Sequence, residues 1–225
     1  ICADTKPEWD CAASKGVFQR TEDCYMSGQV VLTGDLNIVG RENHYTKLVA
    51  APNSRHFLID SGTPTLTLRW LNMTGGDIRG YPDSDSKGGS IYIAQVAGQL
   101  HGTHCIFFNN QAMRGGSVYS QNEKAVVNVS LSHFMSNRAM VTGGALYLVY
   151  GTHYFTDTEI QNNEALYRGG GIYIYGKTNS ASTMYMSRVA LKNNKQLNPE
   201  GSSTAWGGGL YAVFRVNVIV KECLF

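Results

Sequence analysis

The amino-acid sequence predicts an all-β fold, a right-handed single-stranded parallel β-helix with about 27 residues in each coil. A Gly-Gly-small-aliphatic-Tyr motif recurs at near-constant spacing, and an asparagine turn precedes each of its later copies. Glycine and tyrosine are also frequent, at 25 and 13 residues, which favours strands over a helical bundle. Self-similarity at such a fixed period is typical of a solenoid, in which each repeat packs only on its neighbours.

The glycine motif begins at residues 88, 115, 143, 169 and 207, so its copies lie 27, 28, 26 and 38 residues apart. Paired glycines permit a sharp corner where a side chain would clash. In the strand that follows, alternation places Ile91 and Ile93 on one face and Tyr92 on the other. Stacked coils should then carry aliphatic side chains inside and a tyrosine column outside, made of Tyr92, Tyr119, Tyr147, Tyr173 and Tyr211.

Two interpretations of the tyrosine column stay open at this stage. Outward aromatic residues on successive coils can pack on one another. If they are exposed, they form a flat strip suited to contact with another protein. The solvent accessibility of Tyr119 and Tyr147 distinguishes these interpretations.

The asparagine turn follows an aliphatic or aromatic residue and precedes Gly-Gly by 5, 6, 6 and 13 residues in successive copies. Amide side chains stacked at one turn of a parallel in-register array can hydrogen bond from coil to coil. The sequence therefore predicts a structural asparagine ladder, formed by Asn110, Asn137, Asn163 and Asn194.

Upstream, the repeat is weaker but continuous, with strand-like segments at residues 30–40, 47–50, 56–60 and 66–72. No linker separates these segments from the later repeats. We therefore expect one β-helix over residues 29–225, preceded by a cysteine-containing N-terminal cap over residues 1–28. Because Cys223-Leu224-Phe225 aligns with Cys105-Ile106-Phe107, the chain stops within a repeat, and we expect it to continue past Phe225 or to be stacked on by another subunit.

Cysteines and sequons indicate the cellular compartment. Cys2, Cys11 and Cys24 are disulfide candidates, which points to an oxidising environment, although reduced cysteines acting as small hydrophobic residues are the alternative. Asn72 and Asn128 stand in possible N-glycosylation sequons. The expected location is extracellular or at the cell surface by the secretory route, with an organelle lumen as the alternative. No apolar run is long enough for direct membrane insertion, and a net charge of +2 gives no case for nucleic-acid binding.

The combination of Phe134-Met135-Ser136-Asn137 with Gly143-Gly144-Ala145-Leu146 resembles the tandem repeats of chlamydial polymorphic outer-membrane proteins. Similar repeats occur in pectin-lyase-like surface proteins of bacteria and unicellular algae. The resemblance covers roughly residues 65 to 225 and leaves the cysteine-bearing N-terminus outside. It implies a surface-exposed passenger or scaffold domain used in adhesion and assembly. The autotransporter barrel of the chlamydial proteins has no counterpart in this sequence, so outer-membrane anchoring does not carry over.

Two insertions, at residues 75–87 and 195–206, interrupt the same turn of the repeat, and long loops of a solenoid often collect on its binding face. The residue before Gly-Gly between them is Lys87, Arg114, Thr142, Arg168 and Trp206 in successive coils. Lys87, Arg114, Arg168 and Trp206 are therefore a possible ligand edge for an anionic or carbohydrate partner. The alternative is a solvated turn that carries long charged side chains.

The repeats offer few residues for catalysis. Asp157 and Glu159 share a strand face, but the neighbouring coils add no acids at matching positions, so the carboxylate pair of a glycosidase is not predicted. His104 and Cys105 point to opposite faces of a strand, which makes joint metal ligation awkward. We expect His104, His133 and His153 to form a stack on the surface, and we predict no catalytic residue, metal or cofactor.

The sequence as a whole favours a non-catalytic extracellular or lumenal scaffold, a β-helix rod within a larger surface assembly. Its expected partners are other protein subunits or a continuation of the same chain, with glycans as further candidates. The alternative is a polysaccharide-binding or polysaccharide-degrading β-helix protein, which acidic residues clustered across adjacent coils would indicate.

Overall fold

The computed structural model describes residues 6–82, 84–94, 96–197 and 206–225. These residues form 24 strands and contain no helix, so the chain is all-β. The strands pair in parallel and stack into three sheets. Among the described residues there is accordingly no helix long and apolar enough to cross a membrane.

The large sheet has 13 strands. They are β1 (Gly16–Arg20), β2 (Cys24–Tyr25), β4 (Leu36–Gly40), β5 (Thr46–Val49), β7 (Thr65–Thr74), β9 (Gln99–Phe108), β12 (Val126–Ser130), β13 (His133–Met135), β16 (Gly151–Thr156), β17 (Glu159–Gln161), β20 (Ser182–Ser187), β21 (Ala190–Lys192) and β24 (Val216–Lys221).

Two smaller sheets complete each later coil. The tyrosine sheet has seven strands: β3 (Val30–Val31), β6 (Phe57–Ile59), β8 (Ile91–Ile93), β11 (Val118–Gln121), β15 (Leu146–Val149), β19 (Ile172–Tyr175) and β23 (Leu210–Val213). The short sheet has four: β10 (Gln111–Arg114), β14 (Arg138–Thr142), β18 (Glu164–Ala165) and β22 (Lys195–Gln196). Because each strand pairs with its counterpart one coil along, the architecture is compatible with a β-helix or solenoid.

The core lies between the three sheets and runs through successive coils. Alternation along β16 buries Phe155 and leaves Tyr154 exposed, as a half-buried strand requires. Inward aromatic side chains continue the stacking from coil to coil, since the rings of Phe107 and Phe134 lie parallel with centroids 4.4 Å apart. This continuous apolar column is the main stabilising element of the fold.

The Gly-Gly corners hold the tyrosine sheet and the short sheet close together. A Cβ on Gly116 would lie 2.1 Å from the carbonyl oxygen of Gly144 in the next coil. The glycine before it, Gly115, has a φ of 62°, a conformation that favours glycine. Both glycines of the motif are therefore required by the backbone, one by its conformation and the other by the neighbouring coil.

The four repeat asparagines form a hydrogen-bonded ladder inside the turn. Asn110 donates its amide to the oxygen of Asn137 at 3.1 Å, and Asn137 donates to Asn163 at 3.0 Å. Asn163 continues to Asn194 at 2.9 Å. Each asparagine side chain also forms hydrogen bonds with backbone N–H or C=O groups. The ladder therefore supplies hydrogen-bond partners to the backbone groups that the turn buries.

The N-terminal segment joins the large sheet before residue 29. Strand β1 pairs with β4 and strand β2 pairs with β5, so the cysteine-containing N-terminal segment contributes strands to the large sheet. Cys11 and Cys24 form a disulfide, while Cys2 lies outside the described residues. Trp9 is fully buried against Phe57, with ring centroids 5.9 Å apart, and closes this end of the core.

Candidate functional site: a cation–tyrosine edge

The tyrosine column lies on the outer face of the tyrosine sheet, where β8, β11, β15, β19 and β23 pair in register. Its ring centroids are 5.3, 4.7, 4.6 and 5.7 Å apart, in the order Tyr92, Tyr119, Tyr147, Tyr173 and Tyr211. The two central contacts are parallel stacks, with interplanar angles of 5° and 14°. The aromatic rings thus form one continuous stacked column along the coils.

The stacked rings leave little tyrosine surface for a partner. Tyr119 is 4% exposed and Tyr173 is 6% exposed, although both side chains point away from the core. Tyr147 and Tyr211 are half-buried. Contacts between neighbouring rings therefore bury most of the tyrosine surface. A binding partner would contact mainly the side chains that cover the rings.

The residues before Gly-Gly form a second column beside the tyrosines. Lys87 pairs with Arg114, Arg114 with Thr142, Thr142 with Arg168, and Arg168 with Trp206. The turn thus places the predicted ligand-edge residues in line along the coils, with Trp206 50% exposed at the far end. Most of the second insertion, residues 198–205, and Asp83 of the first lie outside the described residues.

The cations of this column lie over the aromatic rings. The ammonium of Lys87 is 5.8 Å from the ring centre of Tyr92 and 5.3 Å from that of Tyr119. The guanidinium of Arg168 is 5.4 Å from Trp206 and 5.8 Å from Tyr211. Distances below about 6 Å allow a favourable cation–π interaction. The two predicted residue sets therefore form a single surface, which we call the cation–tyrosine edge.

Burial and charge act in opposite directions on the tyrosines of this edge. Burial raises the pKa of Tyr173, and the positive charge of Arg168 lowers it by a smaller amount. The same balance holds at Tyr92, where burial raises the pKa and Arg55 lowers it. Both phenols therefore stay neutral at physiological pH and act as aromatic faces and hydrogen-bond donors.

Arg55 also belongs to this edge, although no motif in the sequence identifies it. Its guanidinium lies 5.1 Å from the ring centre of Tyr92. It stands two residues before Phe57, which pairs with Ile91, so it occupies the place that Gly89 takes in the next coil. The early coil carries no Gly-Gly motif. Without that motif, the coil of Arg55 cannot be aligned with the later coils from the sequence alone.

The carboxylates considered for catalysis are occupied by ion pairs. Arg188 holds Asp157 through two bonds of 2.6 and 2.7 Å and keeps the pKa of that carboxyl low. Lys192 binds Glu159 at 2.6 Å, and His133 lies 3.5 Å from the other oxygen of Glu159. Each of these ion pairs joins residues of neighbouring coils at the surface of the large sheet. The two carboxylates therefore connect coils to one another.

The expected surface stack of histidines is wrong. His153 is fully buried on the same face of β16 as Phe155, and burial lowers its pKa to about 4. His104 instead stacks on Trp70, with ring centroids 3.9 Å apart. The neighbouring Cys105 is buried, which raises the pKa of its thiol to about 12. Within residues 6–82, 84–94, 96–197 and 206–225, no three potential metal ligands cluster together.

The two sequon asparagines differ in their surroundings. Asn128 is exposed on the outer face of β12, in register with Tyr154 of the next coil. Asn72 is half-buried in β7, and its side-chain oxygen is buried without a hydrogen-bond partner. The surface of the large sheet therefore gives easier access to Asn128 than to Asn72.

Comparison with known proteins found no matching family model, no matching curated protein and no matching solved structure.

Proposed function

We propose that the stacked sheets form a right-handed single-stranded parallel β-helix of the pectin-lyase-like type, with repeats of the chlamydial polymorphic outer-membrane-protein kind. Crossovers between parallel strands of one sheet are right-handed in nearly all proteins, which supports this handedness. The Phe-x-x-Asn and Gly-Gly elements support the repeat type, because they mark the turns that the asparagine ladder and the glycine corners occupy.

For this rod we propose the function of a non-catalytic extracellular or lumenal scaffold, which contacts other protein subunits within a surface assembly. The observation that carries the proposal is the cation–tyrosine edge. Its rings are fixed by stacking, and the cations of Lys87 and Arg168 lie above them. Because these side chains are already ordered, they lose little conformational entropy when a partner binds. Interfaces are enriched in tyrosine, tryptophan and arginine, which are the residues of this edge.

The disulfide between Cys11 and Cys24 supports an oxidising location, since such bonds persist in secreted and lumenal proteins. The exposed sequon at Asn128 agrees with passage through a secretory route. These two features support a location at the cell surface or in an organelle lumen.

Site-specific photocrosslinking in the producing cells tests the scaffold proposal. We would place a benzoylphenylalanine at position 206, where Trp206 is 50% exposed on the edge. A matched control carries it at position 25, where Tyr25 is 76% exposed and belongs to β2 of the large sheet. The proposal predicts a protein adduct of one defined mass from position 206, and none from position 25.

A second variant ties the adduct to the chemistry of the edge. Arg168→Ser, combined with the crosslinker at position 206, removes the guanidinium that lies over Tyr211 and beside that position, and it should reduce the yield of the adduct several-fold. Equal adducts from positions 206 and 25, or none from either, would contradict the scaffold proposal. Cleavage of an acidic polysaccharide by the purified chain would favour the degrading alternative instead.

A further inference from the structure

A cavity of about 540 Å³ opens at the end of the cation–tyrosine edge that is nearer to the N-terminus. Its walls come from three successive coils, and they include Ser27, Asn53, Arg55, Tyr81, Asp85 and Tyr92. The first insertion supplies Tyr81 and Asp85, so the loop that interrupts the repeat forms part of the cavity wall. This volume lies within the range of small-molecule sites.

Arg55 is the cationic group of the cavity, and Asp85 is an acidic residue of its wall. It is only 6% exposed, and its sole side-chain hydrogen bond among the described residues goes from Nη2 to the carbonyl oxygen of Asp85. Among the described residues its Nε is buried without a hydrogen-bond partner, and its guanidinium lies over the ring of Tyr92. Burial lowers the pKa of this guanidinium by more than the neighbouring Tyr92 and Asp85 raise it.

The repeat itself shows that this arginine is a departure. In the next coil the same place is taken by Gly89, whose added Cβ would lie 2.3 Å from the oxygen of Gly116. The coil of Arg55 contributes no strand to the short sheet, whose first strand is β10, and residues of the insertion line the cavity beside Arg55. A buried and incompletely bonded cation is destabilising unless something compensates it.

We propose that this cavity binds a small hydroxyl-bearing ligand through an oxyanion group, such as a carboxylate, sulfate or phosphate, held by Arg55. The guanidinium presents a planar fork of N–H groups that matches the oxygens of such an anion. Ser27, Gln29, Asn53 and Ser54 line the same cavity and offer hydrogen bonds to hydroxyl groups. Tyr81, which is 49% exposed, supplies an apolar wall.

The binding role goes beyond the scaffold function and does not rest on it. A scaffold edge needs only an ordered outer surface, whereas the cavity recognises a small anion from within. Loss of the crosslink at position 206 would leave the anion site untouched. Failure of anion binding would equally leave the crosslink in place.

Isothermal titration calorimetry of the full chain tests the proposal with four probes. Inorganic sulfate and inorganic phosphate supply the bare oxyanion, whereas D-glycerate and sn-glycerol 3-phosphate add hydroxyl groups. We expect both hydroxylated probes to bind, with sn-glycerol 3-phosphate tighter than inorganic phosphate. No measurable binding of any probe at about 20 mM, or equal binding with and without the hydroxyl groups, would overturn the proposed ligand class.

Three variants assign the binding to the cavity. Arg55→Met should weaken binding by about tenfold or more, because a charge-assisted hydrogen bond is lost. Asp85→Asn removes a negative charge from the cavity wall and should tighten binding by about threefold, while its backbone oxygen still accepts from Arg55.

Arg79→Gln is the matched control, since Arg79 belongs to the same insertion but pairs with Asp77 and does not line the cavity. Its affinity should stay within about twofold of the unmodified chain. Retention of full affinity by Arg55→Met, or weaker binding by Asp85→Asn, would refute the assignment. Asp85→Asn leaves the buried arginine in place, so it keeps the test decisive even if Arg55→Met folds poorly.

Discussion

The coils of residues 88–196 and the coils of residues 6–82 are stacked in the same sheets but stabilised in different ways. Every later coil closes with a Gly-Gly corner and an inward asparagine of the ladder. The earlier coils depend on contacts that occur once, such as the Cys11–Cys24 disulfide and the buried Trp9. Repetition fixes the later coils, whereas individual side chains fix the earlier ones.

The ladder ends where the two regions meet. Gly76 donates its backbone N–H to the side-chain oxygen of Asn110. Because glycine has no side-chain amide, the ladder does not continue toward the N-terminus. One turn earlier, Arg55 stands where a later coil needs glycine. At this position of the repeat, glycine is required where the next coil repeats the Gly-Gly corner, whereas the earlier coil accepts an arginine. Relaxed positions are the ones at which a binding side chain can appear.

The largest expected effect comes from closing the glycine space in a later coil. Gly116→Ala places a Cβ 2.1 Å from the oxygen of Gly144, and this backbone cannot move without shifting the whole coil. We expect a loss of more than about 4 kcal/mol in the free energy of unfolding, measured by urea denaturation.

Gly80→Ala is the control for this experiment, because an added Cβ there meets nothing within 4 Å. It should change the free energy of unfolding by less than about 0.5 kcal/mol. Similar stabilities for the two variants would show that the later coils are not under the backbone constraint described above.

A smaller loss should follow from breaking the asparagine ladder in its middle. Asn137→Ala removes the bond to Asn163, the bond to the carbonyl of Phe107 and the acceptor for Asn110, all inside the turn. Each buried group left without a partner costs about 1 to 3 kcal/mol, so we expect a total of about 4 kcal/mol.

The matched substitution is Asn122→Ala, whose amide oxygen accepts one solvent-accessible bond from the backbone of Lys124. Chemical denaturation should show a loss below about 1 kcal/mol for this variant. If Asn137→Ala were as mild as Asn122→Ala, the ladder would not be what distinguishes the later coils.

Much of the later region could be predicted from the sequence, because its period fixes the register. Once Gly115 and Gly143 are aligned, Tyr119 must pair with Tyr147. The asparagine turns align separately, Asn110 on Asn137, because the register of β10 and β14 shifts by one residue between Ala112 and Arg114. The near-complete burial of Tyr119 could not be predicted in the same way. It depends on the ring of Tyr147 and on Lys87, which reaches across from another turn.

Other structural features have a weaker signal in the sequence, or none. Strand alternation puts His153 on the buried side with Phe155, and its approximate position in the repeat does not reveal this burial. Arg55 had no repeat to align with, and its burial follows from the path of an irregular insertion. Sequence reasoning thus succeeds where the chain repeats and fails where a single loop determines the environment.

Acid sensitivity extends the comparison, since each region buries one histidine. Burial lowers the pKa of His56 and of His153 to about 4, against 6.5 for an ordinary histidine. Above pH 6.5 both histidines are neutral in the folded and unfolded chain, and their stability contribution is complete. As the pH falls from 6.5 to 4, the unfolded chain takes up protons that the folded chain refuses. We expect a loss of about 3 kcal/mol for each histidine over this window.

Urea unfolding between pH 4 and 8 measures this loss, and one variant assigns it to a region. His153→Met fits the inward position, because His153 pairs in register with the buried Met184. It should remove about half of the pH dependence and leave the share of His56, whose ring nitrogens bond to Leu48 and Ser90. The lowered pKa of Asp157 places its own acid response below 3.8, outside the window. An unchanged slope in His153→Met would mean that the acid response comes from the irregular coils alone.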